Sequence, residues 1–259
     1  MEPLTDTQNE PDNRQIAIDR VGIKNLRYPV EVKEKSGHHQ KTVANVALAV
    51  DLPQHLKGTH MSRFVEVLNS HGTCLDIHRL QEIPQQLLQK LSAERAHVTF
   101  QFPFFINKKA PISGGTGLLD YEVRWEMECS VDGKVDLLIT VMVPVATLCP
   151  CSKAISERGA HNQRGVVTYS VRSRQPLWIE DLIALVESSA SCELYSLLKR
   201  PDEKYVTEKA YDNPVFVEDL VRNVAAQSND HKEITWYRVE AENFESIHNH
   251  SAYAVIESK

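Results

Sequence analysis

"LDYEVRWEMECSVDGKVDLLITVMVPV", residues 119–145, consists of two long apolar-rich runs, Leu119–Val131 and Lys134–Val145, meeting at Asp132-Gly133. Asp-Gly between alternating segments is a strong short-range signal for a β-hairpin, because both central turn positions need backbone angles that these residues tolerate. Upstream, "HVTFQFPFF" alternates Val98, Phe100 and Phe102 with His97, Thr99 and Gln101, which predicts a strand. Downstream, "GVVTYSVRS" predicts another. The centre of the chain is therefore β-sheet.

Further out, the periodicity changes. Val43, Val46, Leu48 and Val50 in "KTVANVALAVDLP" give a strand, preceded by "IDRVGIKNLRYPV". "GTHMSRFVEVLNS" carries Met61, Phe64, Val65 and Leu68 at helical spacing, and "PQQLLQKLSAER" reads as a helix opened by Pro84. After the hairpin, "LWIEDLIALVESSA" and "PVFVEDLVRNVAAQ" each place apolar residues on one helical face. "EITWYRVEAEN" and "SAYAVIES" read as closing strands, and "NKKAPISGGTG" as a glycine-rich loop suited to a lid. The expected class is α+β, with antiparallel sheets and helices on one face. Residues 1–14 read as a disordered tail and 15–259 as two similar halves, approximately 15–131 and 132–259.

The totals exclude some functions. A formal charge of −6 over 259 residues argues against a nucleic-acid partner, though not against one local basic pocket. The polar, acidic N-terminus lacks the apolar run of a signal peptide, and the apolar segment Leu137–Leu148 is too short to cross a bilayer, so the expectation is a cytoplasmic protein without a membrane partner. The five cysteines, 74, 129, 149, 151 and 192, are then expected as free thiols.

Cys149 and Cys151 flank Pro150, which argues against a regular helix; in an extended segment both thiols would share a face. They read either as metal or reaction groups or as two inert buried thiols. His161 follows ten residues after Cys151, and His248 and His250 stand two apart entering the last strand, where alternation would send both rings to one face. These rings suit ligation or proton relay, or else a solvated loop. Glu218 flanks an apolar stripe at a position expected to be partly buried. Glu203 sits at a helix start, where spacing does not separate it from Asp202 or Glu208. Lys153, Arg158 and Arg164 form one basic cluster, and Lys57, His60 and Arg63 surround a predicted helix N-terminus, a natural phosphate site. No P-loop or dinucleotide-binding glycine motif occurs.

Three separated segments, "LPQHLKGTHMSRF", "LCPCSKAISERGAHNQRG" and "NFESIHNHSAY", together resemble the prokaryotic type IB GTP cyclohydrolase I family, and the resemblance covers nearly the whole chain. It implies the tunnelling fold, here as two units in tandem, with barrels completed by association into a homotetramer and active sites between subunits. It implies conversion of GTP and water into 7,8-dihydroneopterin triphosphate and formate, serving folate biosynthesis and in many bacteria queuosine. It implies a divalent metal, manganese before zinc or iron, held by Cys149, His161 and Glu203. Glu218 would anchor the guanine edge, Cys151, His248 and His250 would transfer protons, and the basic residues would hold the triphosphate. Two other readings compete: a tunnelling-fold nitrile reductase using NADPH and a cysteine nucleophile, and a non-catalytic nucleotide- or metal-binding protein.

Overall fold

In a computed structural model, residues 6–259 are described, and they form ten strands, six α-helices and one short 3₁₀ turn. They fall into two compact units: residues up to Phe102 with Arg124–Leu138, and Pro103–Val123 with Ile139–Lys259. The division does not follow a single cut at 131/132. The strands β4 (Arg95–Lys109) and β5 (Thr116–Ser130) have 15 residues each, about 50 Å of extended chain, and contribute to both units.

In the first unit, β1 (Ile18–Lys33) and β2 (His39–Leu52) form an antiparallel hairpin, and β2 pairs onward with β4 through Asn45–Val50. The two-residue β3 (Cys74–Leu75) lies parallel to β1, an exception to the antiparallel expectation. Helix α1 (Met61–His71) packs on β1 and on α2 (Glu82–Leu91), which packs on β2. Strand alternation explains the core: Val46, Leu48, Val50, Val98, Phe100 and Phe102 are buried with Phe64, Val67 and Leu68 of α1. Each such side chain contributes roughly 1.5–3 kcal/mol by leaving water. Helix α2 starts two residues before Pro84, which the first turn accommodates because N–H groups there have no intrahelical partner.

Residues 1–5 of the expected tail lie outside the described residues. The following segment is held in place: Lys57 N donates to Glu10 O, Gly58 N to Gln8 O and Asp12 N to His55 O.

The predicted hairpin turn is present between β5 and β6 (Val135–Leu148), with Gly133 at φ 77° and the Asp132 carboxylate accepting from Lys134 N and Ser130 Oγ.

In the second unit, β6 pairs with β7 (Asn162–Ser173), β7 with β9 (Ile234–Phe244), and β9 with β10 (Ser251–Glu257), all antiparallel; β8 (Cys192–Glu193) adds to the end of β6. Helix α6 (Val217–Asp230) lies on β9 and β10, and α4 (Ile179–Ser189) packs on α6 and β7. The apolar stripes read from sequence, Leu182, Ile183, Val186 and Leu220, Val221, Val224, are buried. Helix α5 (Arg200–Asp212) has little apolar surface and is fixed by polar anchors instead. Its buried Asp202 accepts from Ile112 N, Ser113 N and Ser113 Oγ at 2.6–2.8 Å, tying down the "SGGTG" loop that the sequence suggested as a lid. A hairpin, a helix, a two-residue strand, further helix and a strand recur in that order in both units.

Candidate active site

Cys149 and His161 are twelve positions apart but adjacent in space. Leu148 and Asn162 are cross-strand partners at the end of the β6–β7 pair, so the next residues on each side face one another, and Cys149 N donates to His161 O at 3.1 Å. The intervening chain holds α3 (Pro150–Ile155), which the sequence reading excluded. Pro150 is its first residue, where a missing N–H costs nothing and a fixed φ favours the helix. Cys149 is the N-cap, and its Sγ accepts from Ser152 N at 3.4 Å.

This turn separates the two thiols. Cys149 lines a cavity of about 270 Å³ with His161, Gln163, Val215, Glu218, Asn243, Glu245, His248 and His250 among its walls. Cys151 is exposed on α3 and does not line the cavity. The expected shared face fails because the segment is helical, not extended.

Helix α6 delivers Glu218. Val215 N donates to Leu148 O, which sets the helix start against the end of β6. Glu218 occupies the first turn of α6, among unpaired helix N–H groups, and is exposed rather than partly buried. His248 and His250 stand in the turn before β10, not within it, and their rings stack with centroids 5.1 Å apart. Both are exposed on the cavity rim.

Three wall residues escaped the sequence reading. Gln163 follows His161 by two strand positions and is buried; its Oε1 lies 3.1 Å from His161 Nδ1. Glu245 Oε2 is 3.9 Å from the same nitrogen, and the two side chains are only 16% and 12% exposed. Asn243 is 1% exposed, and its Oδ1 is buried with no hydrogen-bond partner among the described residues. Gly165, its cross-strand partner, makes the room: a Cβ there would fall 2.3 Å from Oδ1. The signal was present in β9, where buried Tyr237, Val239 and Ala241 run on in the same alternation into Asn243 and Glu245.

The remaining sequence candidates lie elsewhere. Glu203 is exposed on α5 and does not line the cavity. Lys153 Nζ sits 4.3 Å above the Tyr211 ring and donates to Tyr211 O; Arg158 is exposed. Arg164 faces away from His161 and lines a second hollow of about 530 Å³ with Ala146, Asn162, Gln163, Phe244 and Ser246. In the first unit, Lys57 pairs with Glu10 at 2.6 Å and His60 Nε2 with Asp6 at 3.1 Å, while Arg63 reaches Lys90 O at 3.5 Å.

Helix α5 is held next to this region through Glu193 of β8, the strand paired with Val145 and Ala146. Burial alone would raise the Glu193 carboxyl; hydrogen bonds from Lys209 and Tyr195 overcome it and bring it from 4.5 down to about 2. The neighbouring Cys192 thiol is pushed up to about 11 by burial and then by Glu193, which makes it inert. A depressed carboxylate stabilises the fold above its unfolded value and loses that contribution as pH falls through its folded value. Glu193→Gln is therefore expected to remove on the order of 2–3 kcal/mol at pH 7. Urea unfolding at stepped pH should show the wild-type advantage vanishing between about 4.5 and about 2. Parallel pH profiles for both proteins would contradict this role.

All five cysteines are free. A sulfur and an imidazole where the ends of neighbouring strands meet form a donor pair suited to zinc, and the carboxylates lining the same cavity are oxygen donors of the kind that admit manganese or iron. Among the described residues, no three His, Cys, Asp or Glu side chains are grouped closely enough to hold an ion. No described helix is long and apolar enough to cross a membrane.

A profile of the family described as "Type I GTP cyclohydrolase folE2" matches residues 4–254. The chain belongs to that family. The chain is 64% identical over 259 residues to GTP cyclohydrolase FolE2 of Akkermansia muciniphila, covering 99% of this chain and 98% of the relative. It is 56% identical over 255 residues to GTP cyclohydrolase FolE2 of Methylobacillus flagellatus, covering 98% and 96%. Among solved structures, uricase from Arthrobacter globiformis aligns with a TM-score of 0.53 at 10% identity, covering 93% of this chain and 92% of that one. Urate oxidase from Bacillus subtilis 168 gives 0.51 at 10%, covering 92% and 98%. The likeness to these oxidases is one of fold alone.

Proposed function

We propose that this folE2-family chain is a GTP cyclohydrolase, converting GTP and water into 7,8-dihydroneopterin triphosphate and formate. The observation that carries this reading is the convergence of Cys149, His161, Glu218, His248 and His250 on one cavity, in a chain 64% identical to a GTP cyclohydrolase.

The chemistry suits these groups. One water adds at C8 of the purine and opens the imidazole ring, and a second releases C8 from the formamide as formate; ring closure with a ribose carbon returns one water, so one is consumed overall. Glu218, as a carboxylate, accepts from both N1–H and the 2-amino group of guanine; adenine offers no such pair. The exposed, stacked His248 and His250 would give a proton to a ring nitrogen and take it back.

Cys149 and His161 would hold a divalent metal, manganese before zinc or iron, with Glu203 as the third ligand implied by the family resemblance. Such an ion supplies Lewis acidity that lowers the pKa of the attacking water. A tandem tunnelling fold and a homotetramer belong to the same reading. In support, β10 pairs with β9 alone among the described residues, and Tyr253 and Val255 on it are exposed.

The test is product analysis with GTP and ATP, with and without NADPH. Formate and fluorescent pterin in equal amounts from GTP only, unaffected by NADPH, are expected. GTP binding without formate would favour the non-catalytic reading, and NADPH consumption on a deazapurine nitrile would favour the reductase.

A further inference from the structure

The nitrogen of His161 that carries the proton is decided by its neighbours. Nδ1 faces two oxygens, Gln163 Oε1 at 3.1 Å and Glu245 Oε2 at 3.9 Å. A carboxylate only accepts, so a ring nitrogen turned toward it is the one bearing hydrogen. An amide offers either an oxygen or an NH₂. With hydrogen on Nδ1, Gln163 presents its oxygen to the ring and its Nε2 to Thr147 Oγ1, 3.1 Å away. Thr147 is fully buried and is the cross-strand partner of Gln163, so the amide is clamped from behind by the sheet itself. The line Thr147–Gln163–His161 can run in either direction by itself; the Glu245 carboxylate, 3.9 Å from Nδ1, selects the one in which Nδ1 donates, Gln163 Oε1 accepts and Gln163 Nε2 donates to Thr147.

We propose that Gln163 is a positioning residue: braced by Thr147 and backed by Glu245, it fixes His161 in the Nδ1–H tautomer and leaves Nε2 as the lone-pair nitrogen. Nε2 is then the nitrogen able to bind an electrophile without a tautomer change. The inference about the tautomer stands on this geometry. Its consequence for metal affinity rests on the reading of His161 as a ligand. Outer partners of this kind typically change metal affinity by about 10–100-fold.

The test is ¹⁵N NMR of the full-length, histidine-labelled protein after chelation, with His161 assigned from the His161→Gln spectrum, at a pH where the ring is neutral. The wild-type ring is expected with a protonated Nδ1 and an unprotonated Nε2. Gln163→Met is expected to give a mixture of tautomers and to weaken Mn²⁺ or Zn²⁺ binding about 10–100-fold. Thr147→Val, which leaves the amide but removes its brace, should produce the same change to a smaller degree. A wild-type ring protonated on Nε2 would overturn the proposal without any variant having to fold. So would a Gln163→Met protein with the wild-type tautomer. A wild-type Nδ1–H ring in a protein that binds no divalent metal would uphold the tautomer and remove His161 from the metal reading.

Discussion

Cys149→Ala is expected to reduce formate release from GTP by at least roughly a thousandfold, about 4 kcal/mol in the barrier, and to empty the protein of divalent metal. The expectation comes from position as well as residue type. Cys149 is backbone-bonded to His161, caps α3 and lines the same cavity as Glu218. Its structural role is small, since among the described residues the hydrogen bond to Sγ is a long one from Ser152 N. Cys149→Ser therefore serves as the control. It keeps a capping oxygen and is expected to unfold within about 1 kcal/mol of wild type, yet to lose metal and turnover because a hydroxyl is a far poorer soft ligand. Cys151→Ala, on the exposed side of α3, should retain metal, and its rate will show whether that thiol has any part in proton transfer. Normal metal content and rate in Cys149→Ala would remove Cys149 from the site.

Glu218→Gln should act on recognition instead. In the proposed role the carboxylate would accept two hydrogen bonds from one edge of guanine, and glutamine would replace one acceptor with a donor facing a donor. A fall in kcat/KM for GTP of about 10²–10⁴-fold is expected. Metal content should be unchanged. Stability should shift by only a few tenths of a kcal/mol, because Glu218 is exposed at the start of α6. Steady-state kinetics with GTP and inosine triphosphate separate the contacts: the variant should discriminate less between them than wild type does. Unchanged kinetics for both nucleotides would place the guanine edge elsewhere.

Most of the sheet was legible in the sequence because its signals are local. Asp132-Gly133 fixed the hairpin, and period-two burial fixed β2, β4 and β9. The apolar stripes of α4 and α6 were equally plain. Helix α3 was not, because Pro150 reads as a breaker unless it is known to be the first helical residue. That single turn also changed the site, sending Cys151 away from Cys149. Met61 and Val65 were read into the α1 stripe, whereas Met61 is exposed and Val67 is the fully buried residue, two positions and about 200° around the helix from Val65. Gln163, Asn243 and Glu245 were missed for a different reason. Their residue types are ordinary, and the alternation that carries them inward becomes a site only once the strand register brings β7 and β9 to one cavity. The anchor of α5 by Asp202 and Glu193 was also hidden, since its partners lie far away in sequence.

The most direct measurement is formate and pterin formation from GTP before chelation, after it, and after adding back Mn²⁺ or Zn²⁺. The account predicts that both products vanish together with chelator, and return together with metal. Undiminished formate from protein shown to be free of metal would contradict the roles given to Cys149 and His161.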